Sequence, residues 1–130
     1  DSLDMDFSNI TIDDLVIKNS GNDCVDLSFG NYIIKTAKIN YCGDKGISVG
    51  EKSTLYSNLT IIKNSNIGIA SKDSSIAKFS DVNFENVKTC LTAYKKKQEF
   101  NGGVIKLKKI KCLNYEKKTD IDIFSRIIRN

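Results

Sequence analysis

The chain has 130 residues, 40% hydrophobic and 28% charged, with a net charge of +4, four Cys and no Pro, Trp or His. That composition suits one domain with a real core, and no apolar run reaches the ~18 residues of a membrane span. The lack of His excludes every chemistry in which imidazole is base, acid or metal ligand, including Ser-His-Asp triads and His-bearing zinc sites. With no Pro, the bends are expected to be made by Gly, Asn and Asp. The chain begins with Asp rather than Met and has no charged-then-apolar leader, which reads as a processed or excised piece.

In chain order, a short pattern opens as Ser2-Leu3-Asp4-Met5-Asp6-Phe7 and returns as Cys24-Val25-Asp26-Leu27-Ser28-Phe29. It recurs as Gly46-Ile47-Ser48-Val49-Gly50, Gly68-Ile69-Ala70-Ser71-Lys72 and Cys90-Leu91-Thr92-Ala93-Tyr94, a constant offset of 22 residues. A second period-2 segment follows in each repeat: Ile10 and Ile12, Tyr32 and Ile34, Thr54 and Tyr56, Ala77 and Phe79, Ile105 and Leu107. A third segment runs through Leu15 and Ile17, Ala37 and Ile39, Leu59 and Ile61, then Val82 and Phe84 after a one-residue insertion, then Ile110 and Cys112. Period-2 alternation marks strands rather than helices.

Three strands in about 22 residues leave no room for crossover helices, so each strand must lie parallel to its equivalent one turn later. The fold expected is all-β: a single right-handed parallel β-helix over residues 1–130, with about five turns and a truncated sixth at Thr119–Phe124. Leu3/Met5, Val25/Leu27, Ile47/Val49, Ile69/Ser71 and Leu91/Ala93 should point inward, and Asp4, Asp26, Ser48, Ala70 and Thr92 should form an outward column. Residues 94–103 hold a six-residue enlargement, read as a projecting loop, and residues 125–130 read as a cap. Because the chain opens inside a repeat, it is expected to be the carboxyl part of a longer coil, its first turn an edge open to end-to-end association.

Cys24 and Cys90 share a repeat position three turns, ~14 Å, apart, too far to bridge. Cys112 takes a core slot and Cys42 a corner, so all four are expected to be buried thiols acting as small hydrophobes. Charge is uneven: residues 1–93 carry nine Lys against twelve acids (−3), and residues 94–118 carry nine Lys against two Glu (+7). Nucleic-acid binding calls for stacking aromatics or Arg interleaved with such Lys, and there is no Arg before Arg126, so nucleic acid is not the expected partner.

The face carrying Asp26, Ser48, Ala70 and Thr92 has short outward residues between charged corners, a flat strip on which an extended polysaccharide would lie. One rim holds Asp23, Asp44 and Lys45; the other holds Glu51, Lys52, Lys72, Asp73 and the Lys95–Lys97 loop, with Tyr94 as the nearest platform for a sugar ring.

Gly21-Asn22-Asp23-Cys24-Val25-Asp26-Leu27, followed one turn later by Gly43-Asp44-Lys45-Gly46-Ile47-Ser48-Val49-Gly50, resembles the polygalacturonases, β-helix glycoside hydrolases of the pectin-lyase-like superfamily. The family pattern is Gly-Asp-Asp-Cys-Ile-Ala-Ile, then Gly-His-Gly-Ile-Ser-Ile-Gly, then Arg-Ile-Lys. Asp23 and Lys72 match it, whereas Asn22 replaces an acid, Lys45 the His and Ala70 the Arg. Inverting hydrolysis needs a pair of carboxyl groups, so the resemblance implies the scaffold and not that activity. The corner run Gly43-Asp44-Lys45-Gly46-Ile47-Ser48-Val49-Gly50-Glu51 also resembles bacterial right-handed β-helix proteins, which implies a bacterial, secreted or cell-surface setting. Three functions follow as expectations: a carbohydrate-associated module needing no cofactor, an unliganded stalk, or a lyase. As in pectate-lyase relatives, the lyase would use Ca²⁺ on Asp23, Asp26 and Asp44 and a base at Lys45 or Lys72.

Overall fold

Every residue of a period-2 segment sends alternate side chains to opposite faces of a sheet, and a chain that repeats three such segments every 22 residues can satisfy its backbone only by stacking turn on turn. The computed structural model, which describes residues 1–130, has that form. Nine strands follow in order: β1 (Leu3–Asp6), β2 (Asn9–Ile17), β3 (Val25–Ser28), β4 (Asn31–Val49), β5 (Thr54–Lys72), β6 (Ile76–Tyr94), β7 (Val104–Leu113), β8 (Lys117–Ile121) and β9 (Arg126–Arg129). All pairings are parallel. The 19-residue strands bend at corners and so cross several faces of the solenoid. No helix is long and apolar enough to cross a membrane.

The first face agrees with the sequence pattern. Val25, Leu27, Ile47, Val49, Ile69, Ser71, Leu91 and Ala93 are buried inward, stacked in register with Asp26, Ser48, Ala70 and Thr92 between them. On the second and third faces the third turn is displaced by one residue from the expectation. Tyr32 and Ile34 stack on Leu55 and Ser57, not on Thr54 and Tyr56, and Ala37 and Ile39 stack on Thr60 and Ile62, not on Leu59 and Ile61.

The extra residue lies in the corner at Gly50–Ser53, one turn earlier than the sequence pattern suggested. It is compensated by a register shift between Cys42 and Lys45, at the opposite corner. Because one position separates the two faces of a strand, this displacement turns Leu55, Ser57, Thr60 and Ile62 into the core and Tyr56 out to solvent. Ser57 and Thr60, both polar and buried, satisfy each other at 2.7 Å.

The bends follow the expectation for Asn and Asp but not for Gly. No glycine has positive φ; instead the left-handed corner positions are Phe7, Phe29, Lys52, Asp73 and Ser74 along one edge and Tyr41, Asn64, Asn86 and Asn114 along another. Asn tolerates that conformation because its side chain bonds locally. Here the amides also bond one another between turns, Asn64 donating to Asn40, Asn86 to Asn64 and Asn114 to Asn86. Glycine serves instead where space is short: a Cβ on Gly68 would collide with the Phe84 ring.

Two further expectations are corrected. The four cysteines are not free: Cys24 pairs with Cys42 and Cys90 with Cys112, with Cα separations of 5.4 and 6.6 Å. The ~14 Å argument against Cys24 with Cys90 stands, but it measures only along the axis. Cys42 stacks on Ser20, four residues before Cys24, and Cys112 stacks on Phe84, six residues before Cys90. Each bridge therefore crosses the same corner of the coil between adjacent turns. The C-terminal tail likewise does not cap: Arg126–Arg129 stacks on Val104–Leu107 and extends the ladder.

Each bridge is expected to contribute about 2–4 kcal/mol. Cys90→Ala/Cys112→Ala should lower stability by that amount in urea unfolding, and thiol titration of the unfolded, unreduced wild-type chain should find no free thiol.

Candidate functional site

The first face presents two outward columns, Asp4–Asp26–Ser48–Ala70–Thr92–Asp120 and, beside it, Gly50–Lys72–Tyr94, each built by strands stacked in register. The floor is not an open strip. Ser48 and Ala70 are fully buried although they point outward, and Thr92 is nearly so. Lys45 and Tyr94 meet Thr92 around one cleft at the end of this column. The stem of Lys72 runs across Gly50, where a Cβ would stand 3.6 Å from its Cε. The buried Ser48 hydroxyl has no hydrogen-bond partner.

The residues singled out from the sequence divide into three groups. At one corner, Lys45 is enclosed by acids: its Nζ donates to Asp44 at 2.8 Å and lies 3.9 Å from Asp23, whose Oδ1 also accepts the Lys45 backbone N–H. Burial alone would lower Lys45, but the Asp44 hydrogen bond and the Asp23 charge outweigh it and hold the ammonium above its ordinary range. Burial would likewise raise Asp44, yet Lys45 and Asn66 bring its carboxyl below the usual value.

At the opposite corner, Glu51, Asp73 and Lys95 serve the loop 94–103. Asp73 is fully buried and its Oδ1 accepts the backbone N–H groups of Lys96 and Lys97, both at 2.8 Å. Glu51 pairs with Lys97 at 3.1 Å, and the Lys95 N–H donates to Asp122. Phe100 meets Phe29, itself stacked on Phe7, and Lys52 lies over the Phe100 ring. The enlargement is therefore not a projecting loop; it is folded back along the corner as one wall of the face.

Asp26, Lys72 and Tyr94 form the third group and remain on the face itself, with Ser48 below them. Burial raises the Asp26 carboxyl, with Asp23, Asp4 and Glu51 acting in the same direction against Lys72. Burial lowers Lys72, reinforced by Lys96 and Lys45 and opposed by Asp26 and Glu51, and its ammonium forms no ion pair. Burial also raises the Tyr94 hydroxyl. Tyr94, Lys45, Asp44, Thr92, Asp120 and Asp122 surround a cleft of about 370 Å³ at the loop end of the face.

Of the three carboxylates assigned to Ca²⁺ from the sequence, only Asp26 belongs to a converging set, and its companions are Asp1 and Asp4, with ligand oxygens within 4.8 Å of one another. Asp23 and Asp44 are committed to Lys45. Tyr56 was missed because the one-residue displacement hid it among core positions; four corner residues, Gly50–Ser53, between Val49 and Thr54, against three, Ser28–Gly30, between the equivalent Leu27 and Asn31, are the signal that would have exposed it.

Compared with protein-family models, curated proteins and solved structures, the chain matches none.

The wall depends on Asp73, so Asp73→Ala is expected to leave two amide donors unpaired, cost about 1–3 kcal/mol and speed tryptic cleavage at Lys95–Lys97 while the far-ultraviolet spectrum is kept. Acid should act on the same wall. Burial raises Glu51, but its backbone N–H and Lys97 outweigh that and hold the carboxyl below its ordinary 4.5. A depressed carboxyl stabilises fully above its unfolded value and loses that contribution as pH falls through the folded one. The wild type should therefore lose more thermal stability between about pH 6 and pH 3.5 than Glu51→Gln does, and equal losses would refute the Glu51–Lys97 clamp.

Proposed function

We propose that the first face binds a polysaccharide laid along the coil axis, making this β-solenoid a carbohydrate-binding module rather than a hydrolase. The observation that carries this reading is Lys72: a half-buried ammonium with no ion-pair partner, stretched over Gly50 beside a floor of short side chains. A buried charge without a partner is unfavourable, and a ligand carboxylate or sulfate arriving there gains a charge-assisted hydrogen bond. The Ser48 hydroxyl is an unsatisfied group on the same face, and Tyr94 supplies a ring face at the end of the strip. Two disulfides in a chain this small support export to an oxidising compartment. Hydrolysis is disfavoured because Asp23, the family-matching acid, is spent on Lys45.

Calorimetry against acidic and neutral glycans tests this. Lys72→Ala is expected to weaken binding about tenfold or more and Asp26→Ala to weaken it less, with unchanged thermal unfolding. Absence of binding to every acidic and neutral glycan would overturn the reading.

Lys72 also favours a second reading, a lyase. A lysine lowered by burial can remove the proton α to a uronate carboxylate, its electron pair expelling the β-glycosidic oxygen as the new double bond forms. Asp26 and Asp4 offer hard oxygen donors suited to Ca²⁺, which would neutralise that carboxylate. Lys45, paired and raised, does not fit the role of base. With polyuronate and Ca²⁺ this reading requires the ultraviolet absorbance of unsaturated product to grow, and to be lost in Lys72→Gln; a flat trace across a broad polyuronate panel would eliminate it.

A further inference from the structure

A broad concavity lies on the second face, away from Lys72. It has a volume of about 630 Å³, with Ile33, Tyr56 and Ile76 on its apolar side and Asn9, Asn31 and Thr54 along its rim. Ile33, Tyr56 and Ile76 are each roughly 40% exposed, a contiguous apolar surface on a coil whose other outward columns are mostly polar. The Tyr56 ring is held in place, its hydroxyl lying 3.3 Å from Asn58 Oδ1 and 3.1 Å from Ser80 Oγ. On the rim, Asn31 donates to Asn9 and Thr54 to Asn31, leaving the outermost amide hydrogens free for a ligand.

The chemistry changes along the axis. The residue stacked on Tyr56 is Lys78, and the residue stacked on Lys78 is Lys106. Together with Lys108 they line a second cleft of about 290 Å³ that shares Tyr56. None of the three lysines forms an ion pair. Neighbouring turns are ~4.8 Å apart, so two ammonium groups follow a fixed aromatic ring at one and two turns' distance.

A ring with an apolar face and an acidic substituent meets both halves of this surface. We propose that the second face is a glycan-binding site in which a sugar ring packs on Tyr56 and its carboxylate or sulfate is held by Lys78 and Lys106. The rim of Asn9, Asn31 and Thr54 bonds the hydroxyl groups of sugars further along. Stacking on the ring sets position, and the lysines select acidic over neutral chains while making the affinity dependent on salt. This site shares no residue with the first face, so each can fail without the other.

The test titrates the full chain with alginate, chondroitin sulfate and cello-oligosaccharides, following intrinsic tyrosine fluorescence and heat. The two acidic probes separate carboxylate from sulfate, and the neutral one is the control. Tyr56→Ala is expected to weaken acidic-glycan binding about fivefold to tenfold. The double variant Lys78→Gln/Lys106→Gln, at surface positions that do not bear on folding, should weaken it further and flatten its salt dependence. Measured in a Lys72→Gln background, which disables the first face, binding should persist and retain its sensitivity to Tyr56. Acidic-glycan affinity unchanged in both the tyrosine and the lysine variants would overturn the proposal, as would equal affinity for cello-oligosaccharides. Loss of all binding in Lys72→Gln alone would assign the ligand to the first face and overturn it as well.

Discussion

The parallel backbone ladder governs everything else in this molecule. Each turn donates and accepts along its whole length to the turns on either side, so no residue can shift along its strand without moving its side chain from core to solvent. The pairing is unforgiving in register and indifferent to side chains, which lets adjacent turns carry quite different residues in one slot. The column Ile17–Ile39–Ile62–Phe84–Cys112 shows this, running from aliphatic to aromatic to disulfide without a break in the stacking.

How much could be read beforehand follows from where the sequence keeps time. The first face recurs at 22 residues without exception through Cys90, so its strands, its inward residues and the location of the candidate site were legible. The second and third faces in the third turn were not, because a residue gained at Gly50–Ser53 is matched by one lost where Gly43 and Asp44 stand in the turn before. The repeat length is unchanged while half a turn changes phase, and alternation among Leu55, Tyr56 and Ser57 is too short to reveal it. The cysteines failed for another reason: spacing along the chain gives distances between equivalent positions, and both bridges join non-equivalent ones across a corner.

The candidate face shows how charge is rationed on such a scaffold. Of the ionisable groups marked out in the sequence, most turn out to hold the architecture: Asp23 and Asp44 neutralise Lys45, and Asp73 and Glu51 fasten the loop. Asp26 and Lys72 stay uncommitted, facing the same small strip with opposite charges and opposite displacements from their ordinary titration ranges. A residue list drawn from corners alone cannot separate fasteners from contacts, since both are polar and both lie at the rim. What separates them is whether a backbone amide or a counter-charge already occupies the group.

The exchange of one residue between opposite corners has a wider meaning. Insertions in a closed core usually either break it or bulge outward, but here a paired gain and loss leaves pitch, turn length and the first face untouched while turning two faces inside out for half a circuit. The solenoid thus behaves as a set of independently phased panels on a common spindle. A lineage, or a designer, can evert one panel and so bring an aromatic such as Tyr56 to the surface, without renegotiating the rest of the molecule.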